Sequence, residues 1–290
     1  MTILVTGAKG QLGREAVLAL QADGEAFISI GRDELDFSQP AQVAEAIADY
    51  SADWVINCAA YTQVDKAEEE RELAFTVNRD AARAVAEGVK RSGGHLLHVS
   101  TDFIFGGEQS RPYKESDATN PLGVYGQSKL EGEQAIREVL PEALILRTAW
   151  VYGAHGHNFV KTILRLAAER EELRVVDDQI GAPSWTSDIV KAMRVLIKNE
   201  ATGTYQFSNE GVASWYDFAM EIVAGAKRAG FPVVAETIRP IPTEDFPLPA
   251  KRPAYSVMSK VKIRGMLDYQ IPHWRESLYR MLKQQSGSQA

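Results

Sequence analysis

The sequence predicts an α/β fold: a doubly wound parallel sheet followed by a smaller, less regular α+β C-terminal lobe. Three observations carry this expectation. Strand-length runs, apolar on both faces, alternate with helical patterns through the first half, as in a parallel sheet covered by helices on both sides. A glycine-rich turn, residues 7–13, directly follows the first run. After about Val151 the alternation loosens, and a proline-rich stretch precedes the last helix. The expected division is residues 1–152 for the sheet domain and 153–290 for most of the second lobe, with part of about 175–210 rejoining the first domain.

The elements follow in order. Thr2-Ile3-Leu4-Val5-Thr6 is a β-rich run entering Gly7, and residues 11–21 are amphipathic at helical spacing. Residues 27–30 form a second strand. Ser38-Gln39-Pro40 opens a helix, with serine as cap and proline in the first turn. Residues 54–60 read as the third strand, and one long helix spans about 69–92, stopped by Gly93-Gly94. Residues 96–100 and 143–147 are the fourth and fifth strands. In the second half, helices are expected over 158–170, 187–198, 215–229 and about 274–284, with strands at 175–176 and 204–208. Residues 240–253 read as an irregular loop wrapping over the rest, and 286–290 as a frayed tail.

Composition narrows the chemistry. A chain of 290 residues, 45% hydrophobic and 24% charged, buries a sizeable core. Its net charge of -7 argues against nucleic acid as a partner. No polybasic run suggests a membrane surface, and no apolar run reaches the length of a membrane span. Residues 2–6 already read as structure, so no secretory signal is expected and a cytoplasmic location is. The single cysteine, Cys58, excludes an intrachain disulfide framework and reads as a small buried residue in a strand.

Thr6-Gly7-Ala8-Lys9-Gly10-Gln11-Leu12-Gly13 sits where a dinucleotide loop belongs, after the first strand and opening the first helix. Gly7 permits the tight turn, Gly10 lets backbone approach a pyrophosphate, and Gly13 lets helix pack on strand. Backbone amides near Gln11 and Leu12 offer donors and a positive dipole end to phosphates. The second strand ends Ile30-Gly31-Arg32, without the acid that binds a ribose 2′-hydroxyl and with an arginine for a 2′-phosphate. NADPH is therefore favoured, with NADH possible because Asp33 and Glu34 lie close by. Asp36, Phe37, Ala59, Ala60 and Tyr61 complete the expected cofactor set.

Tyr125 and Lys129 lie one helical turn apart, so both side chains project from one face. A fixed ammonium beside a phenol favours phenolate, giving a proton donor or acceptor that works near neutral pH. Most Tyr-x-x-x-Lys pairs are solvated helix faces; the glycine turn and Ser100-Thr101 at the end of the fourth strand distinguish this one. Ligands of doubly wound sheets bind at the carboxyl ends of the strands, where Thr101 and Tyr125 are expected to meet. A hydroxyl, a phenol and an ammonium converging on a nicotinamide describe carbonyl reduction, with hydride from the cofactor and a proton from Tyr125. Lys129 is expected to bind the nicotinamide-ribose hydroxyls and to hold the phenol's pKa down. His95 and His98 flank a strand, and His155 and His157 lie in a loop; structural or solvated roles are expected for all four.

These stretches, with residues 58–68, 100–105, 120–129, 147–153, 158–162, 178–183 and 251–253, resemble the extended short-chain dehydrogenase/reductase superfamily of Rossmann-type enzymes. Within it they resemble the dTDP-4-dehydrorhamnose reductases. Val64-Asp65-Lys66-Ala67-Glu68 and the 178–183 segment are the most selective parts. The resemblance implies reduction of the C4 carbonyl of dTDP-4-dehydro-β-L-rhamnose to dTDP-β-L-rhamnose, the last step in making a sugar donor for cell-wall polysaccharide. It puts the catalytic roles on Thr101, Tyr125 and Lys129. It places Val64 and Trp150 in the sugar-nucleotide pocket, with Thr62, Gln63 and Phe103 as further candidates. The family often carries tyrosine at Phe103, so a hydroxyl contact is lost there. Arg252 either pairs with the diphosphate or anchors the proline-rich loop. Some members dimerise through magnesium held by three glutamates. Here Glu15 matches the first, but Ser187 and Arg275 stand at the others, so no metal is expected, and monomer and homodimer both stay open. The alternatives are another sugar-nucleotide reductase or epimerase, and a non-catalytic NADP-binding regulatory subunit.

Overall fold

The structure, a computed structural model, is described over residues 1–287. Its first half runs β1 (Thr2–Thr6), α1 (Gln11–Ala22), β2 (Ala26–Ile30), α2 (Pro40–Asp49), β3 (Trp54–Asn57), α3 (Arg71–Phe75), α4 (Ala81–Ser92), β4 (His95–Thr101), α5 (Val124–Val139) and β5 (Leu144–Thr148). Successive strand residues point to opposite faces, and both faces are covered. Ile3 and Val5 of β1 pack with Leu12, Ala16 and Leu20 of α1. Leu4 packs instead with Val43 and Ile47 of α2 and Val85 and Val89 of α4.

The second half runs β6 (Val151–Tyr152), α6 (Phe159–Glu169), β7 (Glu172–Val176), β8 (Ile180–Gly181), β9 (Ser184–Trp185), α7 (Thr186–Lys198), β10 (Gly203–Phe207), β11 (Ala213–Ser214), α8 (Trp215–Ala229), β12 (Thr237–Ile241), α9 (Val261–Arg264) and α10 (Trp274–Gly287). The main sheet is wholly parallel, in the order β10-β5-β4-β3-β1-β2. Residues of α7 and β10 share the core of α1. α6, α8 and α10 enclose a separate core of Val160, Ile163, Phe218, Ile222, Trp274 and Leu278. Among the described residues no helix is long and apolar enough to cross a membrane.

Four local expectations need correction. The third strand ends at Asn57, and Cys58–Ala60 is loop. The single helix expected over 69–92 is α3, a π-helical turn at Thr76–Asp80, and α4. The turn carries buried Asn78, which bonds the Tyr61 backbone in both directions; a π-bulge re-aims a residue without ending the helix, and hydrophobic spacing does not register it. Part of the expected 240–253 loop is strand: Pro240 and Ile241 belong to β12, paired in parallel with β7. Its proline is tolerated because the strand is an edge. Ser286 and Gly287 continue α10, whereas 288–290 of the expected tail lie outside the described residues.

Beneath the carboxyl end of β5, Arg147 and Glu133 form a buried pair, with Nε–Oε1 at 2.9 Å and Nη2–Oε2 at 2.7 Å. Removing one partner of such a pair strands the other charge in a medium that solvates it poorly. Arg147→Met is therefore expected to lower unfolding free energy by about 3–5 kcal/mol. The double variant Arg147→Met/Glu133→Leu is expected to recover most of that loss. Urea denaturation of the single and double variants checks both.

Candidate functional site

A cleft of about 1690 Å³ opens at the carboxyl ends of the strands, between the sheet and the second lobe. Its floor lies where the strand order reverses, between β1 and β3, the place such sheets reserve for ligands. Gly7 has φ +65°, and a Cβ there would stand 2.7 Å from the Ala59 nitrogen. The two strand-end loops therefore touch backbone to backbone, and only glycine permits both that approach and that φ. Gly10 caps α1 without a side-chain hydrogen bond, so the first amides of the helix are left facing the cleft.

Arg32 is exposed at the rim of the cleft. The acids beside it are engaged elsewhere: Asp33 pairs with Lys9 at 2.5 Å, and Glu34 accepts from the Gly31 amide at 2.8 Å. The Asp36 carboxylate accepts from the Ser38 amide and hydroxyl at 2.9 and 2.8 Å. Gly7, Gly10, Gln11, Leu12, Gly13, Asp36, Phe37, Ala59, Ala60 and Tyr61 all line this part of the cleft.

The helix that carries Tyr125 and Lys129 is held at its start by an acid from the 64–68 segment. Glu68 Oε1 accepts the Val124 amide at 2.9 Å, a negative charge at the positive end of α5. Ser128 Oγ donates to the Tyr125 carbonyl and accepts from Asn78. Tyr125 meets Thr101 and packs edge-on against Phe103, with ring centroids 5.6 Å apart. Thr101 Oγ1 donates to Asp102 Oδ1 and accepts from the Phe103 amide, each at 3.2 Å.

The lysine departs from expectation. Burial pushes the Tyr125 phenol up to about 12, with the Thr101 hydroxyl pulling the other way; the lysine does not hold it down. Lys129 is itself buried, and its Nζ donates to the Val99 carbonyl at 2.7 Å and lies 3.2 Å from His98 Nε2. Burial draws this amine down to about 8. A long side chain leaving α5 meets the backbone and the imidazole of β4, and these take up its amine.

His98 corrects a second expectation. It lies within β4, buried, not flanking it. It completes a polar row at matched register: Thr6 of β1, Asn57 of β3, His98 of β4. The available signal was three polar residues: the last of β1, the last of β3 and one in the middle of β4. Cys58, just past β3, has its thiol pushed up to about 12 by burial.

The far wall is aromatic. Trp150, at φ +46°, stacks on Trp215 with centroids 3.4 Å apart and planes 4° from parallel. A left-handed φ is costly for so large a residue, and the 178–183 segment holds it. A Cβ on Gly181 would stand 2.4 Å from the Trp150 ring. Gln179 accepts from Trp215 Nε1 and donates to Thr243, while Asp178 accepts from the Thr243 amide and hydroxyl. Gln179, Trp215, Phe159 and Phe246 line the cleft and were not among the expected residues. Thr62, Gln63, Val64, Phe103 and Arg252, which were, also line it. The Arg252 guanidinium is taken up by Asp65 through two bonds of 2.6 Å, which hold the Asp65 carboxyl below the usual range. Glu15 accepts from Thr186 and Ser187, and Arg275 pairs with Glu221. Among the described residues no cluster of three metal-ligating side chains occurs.

Residues 1–286 match the family described as RmlD substrate binding domain. The chain is 42% identical, over 95% of its length and 96% of the other's, to a Burkholderia thailandensis protein named dTDP-4-dehydrorhamnose reductase. It resembles the solved structure of a dTDP-4-dehydrorhamnose reductase from Clostridium acetobutylicum, with TM-score 0.92, 37% identity and coverage of 98% of this chain and 99% of that one. It also resembles a Bacillus anthracis dTDP-4-dehydrorhamnose reductase solved in complex with NADP, with TM-score 0.91, 37% identity and the same coverage.

Burial raises the Asp102 carboxyl to about 6, against the hydroxyls of Ser256 and Thr101. Between the ordinary carboxylate range and that value the folded protein keeps a proton that the unfolded chain releases. The associated stability is full at low pH and is lost as pH rises through about 6. Asp102→Asn is expected to remove this slope. The wild-type-minus-variant difference in unfolding free energy should fall by on the order of 3 kcal/mol between pH 4 and pH 7, read from urea titrations at each pH.

Proposed function

We infer the function of this cleft from one premise: the chain belongs to the RmlD substrate binding domain family. It reduces the C4 carbonyl of dTDP-4-dehydro-β-L-rhamnose to dTDP-β-L-rhamnose with a nicotinamide cofactor, the last step of dTDP-rhamnose synthesis. The observation that carries this reading is the meeting of Thr101 and Tyr125 in a cleft whose other end is an uncapped helix start behind a glycine turn. The residues present fit a dinucleotide: the Gly7 cradle is one that a Cβ would fill, and the α1 amides are free for phosphate.

When bound, the nicotinamide supplies the hydride that C4 receives. Tyr125 gives its proton to the C4 oxygen, so that negative charge never accumulates there. The high proton affinity of the buried phenol keeps it loaded before the step. Thr101 hydrogen-bonds the same oxygen and sets its direction relative to Tyr125. Glu68, Asn78 and Ser128 fix the turn of α5 from which the phenol projects. Trp150, stacked on Trp215, forms an apolar wall for the sugar, and Val64, Thr62 and Phe103 border it. Arg252, held by Asp65, closes this end of the cleft. Arg32 binds a 2′-phosphate, so NADPH is preferred over NADH; support comes from the engagement of Asp33 and Glu34 with other partners.

Two variants test the reading. Tyr125→Phe is expected to lower kcat for keto-sugar-dependent NADPH oxidation by about 10²–10⁴-fold, with NADPH affinity unchanged by fluorescence titration. Full activity in that variant would remove Tyr125 from the mechanism. Arg32→Ala is expected to weaken NADPH and leave NADH binding as it was; equal losses for both would contradict the 2′-phosphate assignment. Wild-type protein that bound NADPH but turned over no keto sugar would support the regulatory alternative.

A further inference from the structure

Lys129 is fixed at its amine end by a chain of hydrogen bonds whose direction can be counted. Asn57 Oδ1 accepts from the Ala59 amide at 3.2 Å and from Thr6 Oγ1 at 2.7 Å. A backbone N–H only donates, so this oxygen assignment is forced and the Asn57 amide nitrogen must face the other way. It faces His98 Nδ1 at 3.0 Å, and Nδ1 must therefore accept. The proton of the neutral ring is then on Nε2, which lies 3.2 Å from Lys129 Nζ. An ammonium has three donors and no lone pair, so Nε2–H against a charged Lys129 sets donor against donor. Only the uncharged amine can accept that bond while donating to the Val99 carbonyl at 2.7 Å.

We propose that His98, oriented by Asn57, is a positioning residue for Lys129 that favours its uncharged amine in the cofactor-free protein. The other groups facing the amine do not reverse this. Cys58, from the end of β3, carries a protonated thiol, and Tyr125, one turn back on α5, a protonated phenol. Glu133, one turn onward, attracts a proton to the lysine, but its carboxylate is locked against Arg147. Burial and the His98 N–H act together, each penalising the charged form. The amine gains charge when it turns from His98 to oxygen acceptors, which ribose hydroxyls provide. This last step rests on the proposed reductase function and on the expectation from the sequence that Lys129 meets the nicotinamide-ribose hydroxyls; the hydrogen-bond direction does not.

The test uses the full chain without cofactor, so it stands or falls separately from turnover. In wild type, ¹⁵N spectra of labelled histidine are expected to show His98 protonated on Nε2, with no second protonation as pH falls through the usual imidazole range. ¹³Cε-lysine titration is expected to give one lysine, absent in Lys129→Met, with a midpoint no higher than about 8. In His98→Leu the proton affinity of that lysine should rise about tenfold. An Nδ1-protonated His98, a Lys129 midpoint in the ordinary lysine range, or an unmoved midpoint in His98→Leu would each overturn the proposal. If His98→Leu does not fold, the wild-type tautomer and midpoint still decide it.

Discussion

The structure depends on the backbone contact between Gly7, at the end of β1, and Cys58–Ala59, at the end of β3. These neighbouring strands feed connections that run to opposite sides, so their carboxyl ends diverge and leave a cleft. The divergence is useful only if the two loops stay close at its base. A side chain at Gly7 would have to occupy the space of the Ala59 backbone. With that approach secured, the start of α1 and the ends of β4 and β5 all face one volume.

Two short segments organise what surrounds it. From residues 64–68, Glu68 reaches the amino terminus of α5 and Asp65 reaches Arg252 and the Ala250 amide. Two acids three residues apart thus tie α5 and the 240–253 region to the same turn. From residues 178–183, Asp178 and Gln179 bind Thr243, and Gly181 underlies Trp150. The proline-rich stretch is therefore held by hydrogen bonds at both ends, within the second lobe through Thr243 and to the first domain through Asp65. Charge–dipole and charge–charge contacts serve here because they fix direction as well as distance.

The layout of strands was legible because both faces of the sheet are buried, which makes each strand a continuous apolar run. The glycine turn was legible because its geometry admits few other residues. The π-turn at Thr76–Asp80 was not: hydrophobic spacing continues through it, and its reason is the backbone of Tyr61, distant in sequence from Asn78. His98 was misplaced for a similar reason. A histidine near a strand is uninformative until Asn57 and Lys129 are brought against it from other elements. Trp215 and Gln179 joined the site only when α8 and the 178–183 segment packed beside Trp150.

By itself the sequence determined the sheet, the glycine turn and the placing of Tyr125 and Lys129 one turn apart on a helix, because each rests on local constraints: period, permitted φ and side-chain chemistry. The direction of Lys129 was decided only by tertiary structure. Four residues along α5 place it on the face of Tyr125, but the packing of that face under β4 turns its amine toward Val99 and His98. Likewise Arg252 carries a charge suited to a diphosphate, and only the fold brings Asp65 within reach of it. A helical period specifies where a side chain leaves the backbone; what it meets depends on elements distant in the chain.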